Sequence, residues 1–225
     1  MKHSICSILL AMLFGGFLMA QSSESQNLVE LPAPDTTGTV TLEQSLQHRE
    51  SVRDYSKDAL TLTQLSQLLW AAQGVTRPAE GKRTAPSAGA QYPLEIYVAV
   101  GNVKDIAAGV YQYIPDSHSL KLHLKADTRE GLSGATMGQS WIAGVPVVIS
   151  LSGVYERITD RYSSRGELYT HIEVGAVAEN IYLQATAQNL GTVFMGAVDY
   201  ATIREVLELE AEVQPFGLMP VGHPG

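Results

Sequence analysis

The sequence predicts an α+β fold in which a central, mostly antiparallel sheet is covered by helices. Three stretches carry that expectation. "GVYQYIPDSHSLKLHL" reads as two strands, 110–114 and 119–124, joined by a tight Pro-Asp-Ser-His turn. "VPVVISLSG", a continuous apolar run after Pro146, reads as a strand buried on both faces. "LYTHIEVGAVAENIYLQATAQNLG" reads as the longest helix. Ile172, Ala176, Ala178, Ile181, Ala185 and Ala187 make it apolar over much of its girth, as expected of a central helix, and Gly191 stops it. Helices outnumber the strands and cover them, which is the layout of an α+β domain.

The elements follow in chain order. Residues 1–20, "MKHSICSILLAMLFGGFLMA", have one cation near the start, an apolar stretch from Ile5, and Ala20 ahead of a polar run. That is the layout of a secretory signal peptide cleaved after Ala20, so an exported (periplasmic or secreted) protein is expected. The apolar stretch is short of the ~20 residues a spanning helix needs, and no stable membrane span is expected after cleavage. Residues 21–40, opening with the polar "QSSESQNLVELPAPDTT", read as a flexible or loosely docked arm. A short helix follows over 41–48. "LTLTQLSQLLWAAQGV" is a stronger helix: Thr61 or Thr63 can cap it, Leu65, Leu68, Leu69 and Ala72 share a face, and Gly74 ends it. "RPAEGKR" reads as a loop and "IYVAV", 96–100, as a strand. Residues 127–137 read as helical, and "VYERITDRYSSRGE" as helix and loop. "TVFMGAV" reads as extended, "DYATIREVLEL" as a helix starting at Asp199, and "GLMPVGHPG" as the final strand.

Composition excludes several classes. The chain after the signal is long enough for one domain with a sizeable core. Its only cysteine, Cys6, lies inside the signal, so the exported chain has neither disulfides nor thiolate chemistry. With 15 Lys and Arg against 23 Asp and Glu, the formal net charge is −8, which argues against nucleic acid as a partner. His48, His118, His123, His171 and His223 are scattered, without metal-ligand spacing. There is no G-x-S-x-G elbow, no P-loop and no G-x-G-x-x-G.

Four short stretches have the chemistry to hold a ligand. In "HRESVRDYS", Arg49, Ser51 and Arg53 alternate, so in an extended segment two guanidiniums and a hydroxyl share a face while Glu50, Val52 and Asp54 point away. Two planar, bidentate donors and a hydroxyl suit a phosphate; a solvated basic edge paired with Glu50 and Asp54 is the plain alternative. In "PSAGA", Pro86, Ser87, Ala88 and Gly89 present backbone with almost no side chain in front of it, either as a turn or as a ledge for a flat heteroaromatic ring. In "TVFMGAVD", Gly196 after Met195 marks either a close approach to a ligand or a bend before the next helix. Gly222 and His223 sit in the C-terminal "PVGHPG", where a lone histidine is usually solvated.

Together and in this order, these pieces resemble the FMN-dependent nitroreductase superfamily, and more closely its thiazole/oxazoline-dehydrogenase-like branch. "RESVRDY" is similar to the family's opening R-x-S-x-R-x-[FY], and "RTAPSAGAQYPLEIYV" to the branch's P-S-A-G-x-x-Y-P-L-E. "RYSSRGELYTHIEVGAVAENIYLQATAQNLGTVFMGAVD" resembles its R-G-x-x-Y…E-x-G-x-x-A-x-N segment, and "LMPVGHP" its last strand. The resemblance implies a nitroreductase-like FMN-binding domain over 41–225 and a homodimer with FMN in each of two clefts between the subunits. It implies that Arg49, Ser51 and Arg53 hold the phosphate and ribityl end, that Pro86–Gly89 flank the isoalloxazine ring, that Met195 and Gly196 lie beside flavin N5, and that Gly222 and His223 close the phosphate side. NAD(P)H or another donor would pass hydride to the flavin, and a small electron-poor acceptor, nitroaromatic or quinone, would take it in a ping-pong cycle. The protein then supplies orientation and electrostatics, with no catalytic side chain of its own; a proton donor is sought in water or among Tyr155, Tyr162 and Tyr169. Departures favour one alternative, a flavin-binding module without significant turnover: Ala90 stands where many relatives have asparagine, Glu50 replaces a second arginine, and the chain stops at Gly225 without a basic extension. No lysine–tyrosine pair of the azoline-oxidising members can be placed, so heterocycle dehydrogenation is not expected.

Overall fold

A computed structural model describes residues 28–225; the expected signal segment and the first seven residues of the expected arm lie outside them. In chain order the elements are β1 (Leu28–Glu30), α1 (Leu42–His48), α2 (Leu62–Gln73), β2 (Val75–Arg77), β3 (Lys82–Arg83), β4 (Leu94–Val100), β5 (Gly109–Ile114), β6 (Ser119–Leu124), α3 (Arg129–Gly134), β7 (Val147–Gly153), α4 (Glu156–Tyr162), α5 (Arg165–Ala187), β8 (Gly191–Thr192), α6 (Tyr200–Val206) and β9 (Gln214–Gly222). The main sheet has seven strands in the order β1-β6-β5-β4-β7-β9-β8. Every pairing within it is antiparallel.

Local chemistry accounts for the element starts. Thr41 and Thr61 both close capping boxes, each side chain taking the N–H of a glutamine three residues on while that glutamine reaches back to the cap. Asp199 caps α6 by accepting from the N–H groups of Ala201 and Thr202. Left-handed His118 closes the β5–β6 hairpin. At the centre, all seven residues of β7 are buried, because β4 and β9 flank it and apolar layers lie on both faces. One layer joins Ile149 and Leu151 of β7 to Leu65, Leu68 and Leu69 of α2 and to Val174, Val177, Ile181 and Ala185 of α5. The other joins Val148 to Leu132, Ile142, Ile203 and Leu207. Each fully buried leucine contributes about 1.5–3 kcal/mol by leaving water.

Three differences from the sequence reading have physical causes. The expected loose arm is tied down from Leu28 onward: β1 pairs with β6, Leu31 is buried, and the Asp35 N–H is held by Gln67. "RPAEGKR" folds back into the small β2–β3 hairpin, with Gly81 left-handed at its turn. Ile172, expected in the core, is 61% exposed, as is Leu168 at 59%. The buried face of α5 is instead built from Thr170, Glu173, Val174, Val177, Ala178, Ile181 and Ala185, between faces that alanine made hard to tell apart.

The tie on the arm runs through His118. Its Nε2 lies 3.1 Å from the Pro32 carbonyl and 2.8 Å from Ser66 Oγ, and its Nδ1 lies 2.9 Å from Tyr113 Oη. Ser66 Oγ donates to the same Pro32 carbonyl at 2.6 Å. Neutral imidazole satisfies this arrangement by donating from Nε2 and accepting the tyrosine hydroxyl at Nδ1. Burial lowers the His118 pKa, opposed by the bond to Pro32. A base with a lowered folded-state pKa costs stability as pH falls through its unfolded value, about 6.5. The unfolding temperature therefore drops between pH 7.5 and 5.5, and His118→Asn, which tolerates the left-handed backbone, flattens that part of the curve.

Candidate functional site

The R-x-S-x-R segment is extended and lies against the ends of two strands. Ser51 bridges Thr192 of β8, the Val52 N–H donates to the Thr192 carbonyl at 3.0 Å, and the Ser56 N–H donates to the His223 carbonyl at 2.9 Å. The expected alternation holds only in part: Val52 and Tyr55 turn toward the sheet, while Glu50 and Asp54 are exposed together with Ser51 and Arg53. Val52 turns inward so closely that a Cβ on Gly191 would stand 2.7 Å from its own Cβ. A Cβ on Gly222 would stand 2.9 Å from Pro146 and 3.0 Å from the Tyr55 ring, so these two glycines let the segment seat against the sheet. Ser51 and Arg53 are exposed and Arg49 is half-buried. The only ion pairs among the described residues are Arg129–Asp127 and Arg157–Glu95, so neither Arg49 nor Arg53 is neutralised by Glu50 or Asp54. Two guanidiniums without carboxylates, flanking a hydroxyl in the chain, suit an anionic phosphate.

Tyr182 of α5 joins this clamp to the Met195–Gly196 stretch. Arg49 lies over its ring at 5.2 Å, its hydroxyl is 3.3 Å from Ser51 Oγ, and it accepts the Phe194 N–H at 2.7 Å. Beyond Phe194, Met195 is buried and locked to Leu218 of β9 by two backbone bonds, at 2.9 and 3.1 Å. Gly196 is exposed, and its N–H has no acceptor among the described residues. Tyr182 thus links the clamp to the stretch that carries Met195 and Gly196.

The small-residue loop is held elsewhere. Glu173 of α5 accepts through one oxygen from Ser87 Oγ at 3.0 Å and the Ala88 N–H at 2.9 Å, and Ser87 Oγ accepts the Tyr92 N–H at 2.8 Å. Gly89 is left-handed at φ +60°, with Tyr162 and Arg161 of α4 against it. Glu173 is 4% exposed and its second oxygen is buried without a partner among the described residues. Burial raises its pKa, opposed by the bonds from Ala88 and Ser87.

Helical phase decides how these parts relate. At 100° and 1.5 Å per residue, Glu173 and Tyr182 are about 180° apart around α5 and about 14 Å apart along it. One chain therefore carries the clamp on one edge of α5 and the small-residue loop on the other. The pronounced cavities agree: the groove of about 770 Å³ between residues 35–42, α2 and α5, and that of about 410 Å³ beside His48, Glu50, Val52 and Pro224, are lined by none of the residues expected to bind. Tyr182 and Glu173 escaped the sequence reading because each looks like one more residue of a long helix; the E-x-G spacing was visible, but its partner in the loop was not.

The nitroreductase family model matches residues 46–223. MJ1384 of Methanocaldococcus jannaschii, assigned by name to the nitroreductases, is 46% identical over 194 residues, covering 86% of this chain and 96% of that one. The microcin B17-processing protein McbC of Escherichia coli is 28% identical over 57% of this chain and 49% of its own. Among solved structures, a Ralstonia eutropha protein named for the same family superposes with a TM-score of 0.78 at 32% identity, covering 88% of this chain and 90% of its own.

The Glu173 anchor has a measurable signature. A carboxyl with a raised folded-state pKa costs stability as pH rises above its unfolded value of about 4.3. Glu173→Gln keeps the acceptor without the charge and is at least as stable as the parent at pH 7. Glu173→Ala orphans Ser87 Oγ and the Ala88 N–H and loses about 1–3 kcal/mol in denaturant unfolding.

Proposed function

The chain belongs to the nitroreductase family, and from that membership we propose that it is an FMN-dependent oxidoreductase working as a homodimer. The observation that supports FMN is the clamp: Arg49 and Arg53, free of carboxylates among the described residues, beside Ser51 and its tie to Tyr182. In this reading the three hold the phosphate and ribityl end, with Gly222 and His223 closing that side, and the free Gly196 N–H and buried Met195 flank the ring. The cofactor supplies two-electron chemistry, taking hydride from NAD(P)H or another donor and giving it to a small nitroaromatic or quinone acceptor. The chain's own residues orient the ring, through the rigid Met195–Leu218 ladder on one side and the Glu173-held loop on the other.

A second copy is needed because α5 puts clamp and loop on opposite edges. Between those edges Leu168 and Ile172 are exposed. Laying a partner on this apolar stripe would bring its loop to the first copy's clamp and cover surface that a monomer leaves in water. Export through the N-terminal segment is part of the same proposal; it places the enzyme where a donor other than NAD(P)H would be needed.

A phosphate clamp predicts a specific loss. Arg49→Ala with Arg53→Ala weakens FMN binding at least about tenfold, or about 1.4 kcal/mol, while riboflavin, which lacks the phosphate, binds parent and variant alike. Fluorescence titration with the two flavins measures this directly; an equal loss for both would remove the phosphate role. Bound FMN that neither NAD(P)H nor dithionite reduces would select the module without turnover.

A further inference from the structure

We propose that Tyr155, hydrogen-bonded to His171, is the proton donor to the acceptor, with His171 resupplying it from water. This rests on the flavin reading and adds what that reading lacks. Reducing a quinone to its quinol takes a hydride and one proton, and no side chain has been given the proton.

The geometry points to this pair. Tyr155 Oη lies 2.9 Å from His171 Nε2. His171 and Tyr182 are eleven residues apart on α5, so they lie within about 20° of one another around the helix and about 17 Å apart along it. The clamp-side edge of α5 therefore begins at Tyr182, where the phosphate would sit, and runs to His171. The space between is bridged by named contacts. Phe194 is bonded to Tyr182, and a Cβ on Gly217 would stand 2.6 Å from the Phe194 ring and 2.9 Å from the Met195 carbonyl. Phe216, beside Gly217, packs edge-on against Tyr155 at 5.3 Å and against His171 at 5.3 Å. Tyr200 Oη lies 3.4 Å from both the Gly196 and the Phe216 carbonyls. The pair thus stands at the far end of a chain of contacts that starts at the clamp and passes Gly196, where a flat acceptor on the ring would lie.

The surroundings suit a donor that stays protonated until used. The residues facing Tyr155 are Glu167 and His171 from α5, Tyr200 from α6 and Phe216 from β9; burial first, then Glu167 and Tyr200, raises the phenol pKa. His171 is exposed, which gives it exchange with water. In the step, the acceptor gains a hydride from the reduced cofactor, the Tyr155 O–H bond breaks, and a new O–H bond forms on the acceptor. His171 Nε2 then returns a proton taken from water. Tyr162 and Tyr169 lack such a partner: they pack against each other at 5.2 Å, and neither hydroxyl has a hydrogen-bonded base among the described residues to resupply it.

The test uses the purified chain loaded with FMN and compares two acceptors, benzoquinone, which needs a proton, and ferricyanide, which takes electrons alone. Tyr155→Phe keeps the ring against Phe216 and is expected to lower the quinone-to-ferricyanide turnover ratio on the order of a hundredfold. His171→Gln, which slows only the resupply, lowers it less. In the flavin-free chain, the nitrogen-15 signal of His171 Nε2 moves on Tyr155→Phe. A ratio unchanged in Tyr155→Phe, or an unmoved nitrogen signal, overturns the proposal. A chain that takes up no FMN instead removes the flavin reading beneath it, and the absorbance spectrum shows this before any turnover is measured.

Discussion

The phase of one helix constrains everything else in this molecule. Along α5, 23 residues long, the face from Thr170 to Ala185 is spent on the core, and that leaves two edges on which polar side chains can reach out. Tyr182 occupies one and collects the Arg49–Arg53 segment and the Phe194 backbone. Glu173 occupies the other and fixes the Ser87–Gly89 loop. Because the two edges are nearly opposite, one chain presents clamp and loop on different sides of α5. In the proposed homodimer a ligand that needs both would be shared between copies.

The rest of the fold keeps these edges in place. β7 sits between β4 and β9 with apolar layers on both faces, so the sheet beneath α5 has little freedom to shift. α2 packs its leucines against the same layer. Even the segment before α1 contributes, through the Pro32 carbonyl that His118 and Ser66 hold. Rigidity of this kind is what a cofactor enzyme asks of its protein, since the cofactor carries the reaction and the chain must place it.

Much of this was legible in the sequence, for reasons that can be named. A threonine cap before α2, an aspartate before α6, a Pro-Asp-Ser-His turn and an unbroken apolar run are local signals, and local backbone energetics decides them. β1 was not legible because three residues of edge pairing leave no periodicity to read; its partner strand supplies the reason it exists. The exposed side of α5 was misjudged for a different cause. A helix rich in alanine and glycine, with leucine and isoleucine on several sides, has no contrast between faces, and only the positions of α2, α4 and the sheet settle which side is buried. Stretches proposed to hold the ligand could be picked out from side-chain type alone, as with Arg49, Ser51 and Arg53. The residues that hold them, Tyr182 and Glu173, could not, because their meaning lies in contacts across 85 to 131 positions of chain.

Native mass spectrometry of the purified chain with FMN tests the central claim most directly, because stoichiometry follows from the phase of α5. Two chains carrying two FMN molecules is the result this account predicts. FMN held by a single chain, or a dimer that stays colourless in excess cofactor, would contradict it.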